Sequence, residues 1–151
     1  MTAIMSADVA GYSRLIGDNE AETVRTLEAY KQVMFALIKQ HRGRVVDSPG
    51  DNLLAEFASV VDAVQCGVAA QNELKARNAD LSESRRMQFR IGINLGDVIE
   101  KGDRIYGDGV NIAARIERLS HCFVGISSFP EQRDAVLNKP RKGKGGCRER
   151  V

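Results

Sequence analysis

The chain has 151 residues, of which 43% are hydrophobic and 28% charged, with a net charge of +2 and three cysteines. That length is most simply one domain with a sizeable core. The apolar runs are too short to span a bilayer, and no basic-then-apolar leader opens the chain. Cys66, Cys122 and Cys147 are scattered and odd in number, which argues against a disulfide framework or a zinc set and for a reducing cytoplasm.

The first element is "AIMSADV", residues 3–9, a short apolar run that reads as a buried strand. Asn19 and Glu22 have capping-box spacing and open a helical pattern to about His41, with Val24, Leu27, Tyr30, Val33, Met34, Leu37 and Ile38 on one face. That stripe is core or a dimer interface. Gly43 stops the helix, and "RVVD" and "NLLAEF" then flank "SPG" as a hairpin turning at Pro49 and Gly50. Ser59 and Asp62 cap a second helix whose inner side carries Val60, Val61, Val64, Val68 and Leu74, and "ARNADLSESRR" follows as a loop. Met87, Phe89, Ile91, Ile93 and Leu95 alternate with other residues, the period of a half-buried strand. Another strand is predicted near Asp97–Glu100, a helix over Asp108–Leu119, a strand at "FVGIS" and a helix over 130–138.

The predicted order is β-α-β-β-α-β-β-α-β-α, an α+β layered domain with helices packed on a largely antiparallel sheet. Residues 139–151, "KPRKGKGGCRERV", hold six Lys or Arg against one Glu, so this segment is +5 and the other 138 residues are −3. It reads as a flexible, solvated tail beyond a folded domain of residues 1–138. Nucleic acid is not the expected partner, since only the tail would speak for it. His41 and His121 read as surface or boundary histidines, and Glu56 and Glu100 as solvent-facing strand residues.

Three stretches carry chemistry. In "SADVAGYS", Asp8 stands at the end of the first strand, just before Gly11. Backbone N–H groups there can face an anion, and a carboxylate can hold a cation. Taken alone, Asp8 is a turn former. Asp51 follows the hairpin turn, where its carboxylate can face the end of the first strand, and two such carboxylates suit two divalent cations clamping a triphosphate. Taken alone, Asp51 is turn chemistry. Asn111 and Arg115 lie four apart on one helix face with Ile112, Ala113 and Ala114 between them. They are either an exposed polar pair or a pair reaching a ligand at an interface, where an arginine stabilises charge developing on a phosphate.

Together "SADVAGYS", the "GD" of the hairpin turn, "FRIGINLGDV" and "YGDGVNIAARIE", in that order and spacing, resemble the catalytic domain of the class III adenylate/guanylate cyclases over about residues 2–127. The resemblance implies a ferredoxin-like, cyclase-type sheet and a nucleotidyl cyclase converting ATP, or alternatively GTP, to a 3′,5′-cyclic nucleotide and pyrophosphate. It matches Asp8 and Asp51 to the two metal-binding aspartates and the carbonyl of Val9 to a backbone ligand, with two Mg²⁺ or Mn²⁺ ions per site. Ala10, Gly11, Tyr12 and Ser13 fall in the loop whose amides contact the phosphates. Asn111 matches the ribose-orienting residue, and Arg115 the arginine that stabilises the transition state at the α-phosphate. In the family the two groups come from opposite chains of a head-to-tail homodimer, so a monomer would hold no complete site.

The sequence departs from the family pattern at three places. Asp47 stands where the family has its adenine-reading lysine, and Arg104 where that lysine's usual aspartate partner falls. The exchanged pair can read adenine with donor and acceptor reversed, can read guanine with Asp47 on N1–H and N2–H₂ and Arg104 on O6, or can pair with each other and read no base. At the C-terminal end the family's further strand pair with its phosphate-binding lysine is replaced by the basic tail, where Lys139, Lys142 and Lys144 substitute only by coincidence; an incomplete sheet there would leave an exposed edge. The rival expectation is therefore a catalytically silent, dimerising or nucleotide-binding cyclase-like module.

Overall fold

Alternation along the first strand fixes two faces of the sheet. Strand β1 (Thr2–Val9) sends Ala3, Met5, Ala7 and Val9 into the main core and Ile4 into a smaller cluster on the opposite side. The computed structural model describes residues 2–96, 99–101, 104–106, 108–119, 124–127 and 135–137. After β1 come α1 (Tyr12–Asp18), α2 (Glu20–Gln40), β2 (Gly43–Asp47), β3 (Leu53–Phe57) and α3 (Val60–Asn78). A single 3₁₀ turn at Glu83–Arg85 leads to β4 (Phe89–Gly96), β5 (Ile99–Lys101), β6 (Arg104–Tyr106), α4 (Asp108–Leu119), β7 (Val124–Ser127) and β8 (Ala135–Leu137).

The main sheet has the order β2-β3-β1-β4-β7-β8. Its first four strands are antiparallel throughout, with Ala7 opposite Leu53 and Asp8 opposite Arg90. With α2 and α3 as crossovers this is the split βαβ arrangement of ferredoxin-like folds, as the family resemblance implies. Strand β7 joins β4 in parallel, β8 joins β7 antiparallel, and β5 and β6 form a separate ribbon.

Helix α2 begins as its capping pair predicts: Asn19 Oδ1 accepts from the Glu22 amide at 3.1 Å, and Asn19 Nδ2 donates to Glu22 Oε2 at 3.3 Å. It buries Thr23, Leu27, Tyr30, Met34 and Ile38, so the stripe is core, whereas Val24 at its margin is 38% exposed. On α3 the buried face is Ala63, Cys66, Gly67, Ala70, Leu74 and Asn78. The valines expected there are displaced by this small-residue stripe: Val60, Val64 and Val68 flank the core, and Val61 is 58% exposed. Small side chains let the α3 backbone lie close to its neighbours, which the count of large apolar residues does not anticipate.

Where α2, α3 and β4 meet, Tyr30 Oη donates to Asn78 Oδ1 at 2.7 Å. The same amide oxygen accepts from the Met87 N–H at 3.0 Å, and Asn78 Nδ2 donates to the Met87 carbonyl at 2.8 Å. These bonds satisfy buried polar groups and fix the entry to β4.

Three elements differ from the sequence expectation. Residues Tyr12–Asp18 are helix α1, held by fully buried Leu15 and by Thr23 Oγ1, which donates to the Leu15 carbonyl at 2.8 Å. Strand β6 was not anticipated; it is a three-residue segment defined only by its pairing with β5. Ala135–Leu137, expected to be helical, pairs with β7 as a strand, so a non-local partner overrides a weak local pattern. His41 closes α2, with Nδ1 2.8 Å from the Leu37 carbonyl, the boundary position predicted. Burial pushes the Cys66 thiol up to about 12. His121, Cys122, Cys147, Lys139, Lys142, Lys144 and the whole basic tail lie outside the described residues.

Candidate active site

The end of β1 gathers charge from three elements. Asp8 and Arg90 face each other across β1 and β4. Arg90 Nε donates to Asp8 Oδ1 at 2.7 Å and Arg90 Nη2 to Asp8 Oδ2 at 2.5 Å, a bidentate fork that uses both carboxylate oxygens. The Asp8 side chain is 14% exposed and that of Arg90 26%, so both charges are largely withdrawn from water. Sequence reasoning did not single out Arg90. The usable signal was its even position between Phe89 and Ile91, which sends it to the face opposite the apolar row.

Asp51 arrives at the same strand end from the β2–β3 turn: its Oδ2 accepts from the Val9 amide at 3.3 Å. The turn is laced internally, with the Asn52 amide on the Pro49 carbonyl at 2.9 Å and Ser48 Oγ on the Asn52 carbonyl at 3.2 Å. Gly50 has φ 55°, a left-handed conformation that favours glycine. From α2, Lys31 Nζ donates to the Ser48 carbonyl at 3.1 Å and to the Gly50 carbonyl. Burial lowers the Lys31 pKa, while Asp51 and Asp47 act in the opposite sense. Burial, and behind it Asp51 and Glu20, raises the Tyr12 pKa.

In the expected phosphate segment, the Ala10 amide donates to the Gln88 carbonyl at 2.8 Å. Gly11, at φ 67°, turns the chain into α1, and its carbonyl accepts from Arg14 and Leu15 at 3.1 and 3.2 Å. Tyr12 and Ser13 therefore form the first turn of a helix and are not loop residues. Asn111 and Arg115 are both exposed on α4, while Ala113 between them is buried against the sheet side. Among the described residues, no hydrogen bond or ion pair joins Asn111 or Arg115 to Asp8 or Asp51, whose polar contacts run to Arg90 and Val9.

Asp47 is exposed on β2, and its Oδ1 accepts from the Ser48 amide at 2.9 Å. Strand β6, which carries Arg104, approaches β2 and α4; the Arg104 side chain lies outside the described residues, as does that of Glu100 on β5. Glu56 corrects an expectation: its side chain is only 15% exposed and accepts from Arg44 Nε at 2.8 Å. It lies on β3, an interior strand flanked by β1 and β2, where neighbouring strands shield both sides.

The donor set tests the implied cations. Asp8, Asp51 and the Val9 carbonyl offer hard oxygen ligands at one strand end. Among the described residues, no three His, Cys, Asp or Glu side chains gather into a closed cage. One or two carboxylates completed by substrate phosphates is how Mg²⁺-type ions are usually held, so these residues fit such an ion.

Fold and site together define a ferredoxin-like domain whose central strand ends in a pair of carboxylates beside a tight glycine turn. The family model of the adenylate and guanylate cyclase catalytic domain matches residues 1–124, and the chain belongs to that family. It is 46% identical over 121 residues to "Putative adenylate cyclase 3" of Rhizobium meliloti (strain 1021), covering 80% of this chain and 21% of that protein. It is 30% identical over 137 residues to "Serine/threonine-protein kinase pkn2" of Myxococcus xanthus, covering 90% of this chain and 16% of that one. The chain thus spans about a fifth of the first of these relatives and about a sixth of the second. Among solved structures, it is similar to an adenylate/guanylate cyclase/hydrolase from Silicibacter pomeroyi, with 35% identity, a TM-score of 0.75 and coverage of 83% of this chain and 73% of that one. It is also similar to the guanylyl cyclase Cya2, with 28% identity, a TM-score of 0.70 and coverage of 83% and 74%. Among the described residues, no helix is long and apolar enough to cross a membrane.

Proposed function

We propose that this domain is a nucleotidyl cyclase that acts on ATP or GTP, releases pyrophosphate, and works in the cytoplasm as a homodimer with sites shared between chains. The observation that carries the reading is the meeting of Asp51 with the Val9 amide, 3.3 Å apart, which brings both carboxylates of the family pattern to one strand end. Asp8, Asp51 and the Val9 carbonyl would hold Mg²⁺ or Mn²⁺, two ions per site. Bound there, such ions supply activation of the attacking 3′-hydroxyl and neutralise charge on the departing pyrophosphate.

The chain's own groups do the rest. The amides of Gly11, Tyr12 and Ser13, which precede the first helical bonds, contact the phosphates, whereas the Ala10 amide is committed to the Gln88 carbonyl. Asn111 and Arg115, exposed on α4, act from the partner chain. Asn111 orients the ribose, and Arg115 stabilises charge at the α-phosphorus, a role that an exposed arginine on a rigid helix can fill across an interface. Asp47 and Arg104 are the candidates for base selection.

The test is turnover of ATP and of GTP, separately, with Mn²⁺, following cyclic nucleotide and pyrophosphate beside an Asp8→Ala control. Cyclic product from one nucleotide, lost in the control, supports the cyclase and reads the base preference directly. A folded dimer that binds nucleotide yet forms no product from either would make the domain a silent binding module.

A further inference from the structure

The turn that carries Asp51 is held from outside the sheet. Lys31 lies on α2, and its ammonium crosses to the β2–β3 turn, where it meets the carbonyls of Ser48 and Gly50, one on each side of Pro49. An ammonium has three donors and no acceptor, so two converging carbonyls are a fitting pair of partners. The bonds go to peptide oxygens and not to the neighbouring carboxylates. Asp51 therefore keeps its oxygens for the strand end, where one accepts from the Val9 amide. Gly50, immediately before Asp51, has φ 55°, a conformation glycine adopts at no steric cost, so no side chain of its own holds the turn there. The Lys31 charge lies near Asp51 and Asp47, and burial lowers its pKa, so this lysine gives up water for the turn.

We propose that Lys31 is the positioning residue for Asp51: by clamping the Ser48 and Gly50 carbonyls to α2 it aims the Asp51 carboxylate at the end of β1 while making no bond to its oxygens, which stay open to a divalent cation. The proposal rests on the cation role assigned to Asp51. Groups that orient a metal ligand typically change affinity by 10- to 100-fold when removed. A clamp that served only the fold would change stability and leave affinity alone.

The experiment uses the full chain and Mn²⁺ alone, with the free ion followed by electron paramagnetic resonance and thermal unfolding measured in parallel. Lys31→Met keeps the aliphatic stem and removes the donors; it should weaken Mn²⁺ binding about 10-fold. Lys31→Arg, which keeps cationic donors, should restore most of the loss. Adding Lys31→Met to Asp51→Asn should cause little further weakening, since the lysine acts through that carboxylate. A folded Lys31→Met with unchanged Mn²⁺ affinity, beside an Asp51→Asn that loses it, overturns the role of Lys31 and leaves the cation reading standing. Unchanged affinity in Asp51→Asn itself overturns the cation reading, and the role of Lys31 with it. Should Lys31→Met and the shorter Lys31→Gln both fail to fold, the lysine is a structural residue and the proposal is wrong.

Discussion

Removing an aspartate proposed to hold a cation often relieves repulsion and stabilises the metal-free protein, but the Asp8–Arg90 fork reverses that expectation here. In Asp8→Asn the guanidinium loses its charged fork and stays largely withdrawn from water. Breaking a fully buried pair costs about 3–5 kcal/mol, and an exposed pair is worth about 0–1 kcal/mol. With side chains 14% and 26% exposed, the fork lies between these limits. An expected loss of about 2 kcal/mol follows, or roughly 4–8 °C in Tm for a chain of this size. Asp51→Asn gives up one bond of 3.3 Å to the Val9 amide, and its amide oxygen can still accept there. Its cost should be about 0.5 kcal/mol or less.

The measurement is thermal unfolding in chelator at fixed protein concentration, because any dimerisation makes Tm concentration-dependent. A double-mutant cycle of Asp8→Asn with Arg90→Gln isolates the coupling, which should account for most of the single-variant loss. A rise in Tm for Asp8→Asn, or a coupling near zero, would refute the fork as a stabilising contact.

Arg115→Ala should lower cyclase turnover by about 10²–10³ while leaving Tm unchanged, because the side chain is exposed; full activity would place Arg115 outside the site. Tyr30→Phe removes one of the buried bonds at Asn78 and should cost about 1 kcal/mol in urea unfolding, whereas Asn78→Ala strands Tyr30 and both backbone groups of Met87 and should cost about 3 kcal/mol. Equal losses would show that the three bonds stand or fall together and would refute this division of the cost. For Cys66 the folded thiol titrates near 12 against an ordinary 9.0, so the folded state favours the neutral form. Its contribution is fully present below about pH 9 and is lost at about 1.4 kcal/mol per pH unit as pH rises toward 12. Cys66→Ala should show a shallower alkaline loss of stability, and identical slopes would remove Cys66 from that dependence.

Legibility of the fold from sequence followed the range of the interactions that determine each part. The cap at Asn19, the hairpin at Pro49–Gly50 and the alternation from Met87 to Leu95 are set by residues within a few positions of one another, and each is found where its pattern lies. The β8 segment was missed because its state is decided by β7, and the inner face of α3, Leu74 apart, because small residues carry little hydrophobic signal of their own. The site divides in the same way. Asp8, Asp51, Asn111 and Arg115 were visible as motif positions. Arg90 and Lys31 were not, since their meaning depends on partners 82 residues away at Asp8 and 17 and 19 residues away at Ser48 and Gly50.

Why a largely buried strand can end on a carboxylate is answered by its register. On the face away from the main core, β1 runs from Ile4, packed in the cluster with Ala113 of α4, through Ser6 to Asp8, so that face grows more polar toward the strand end. Pairing with β4 sets Asp8 opposite Arg90 at the step where Val9 stands opposite Phe89, so the register that buries Phe89 also supplies the counter-charge. A slip of one residue would separate the pair and turn one of the two charged side chains toward Leu15, Met87 and the rest of the apolar core, at a cost of several kcal/mol for the uncompensated charge. The apolar alternation that builds the core is therefore also what aims Asp8, and variants that loosen the β1–β4 register should lose the site before they lose the fold.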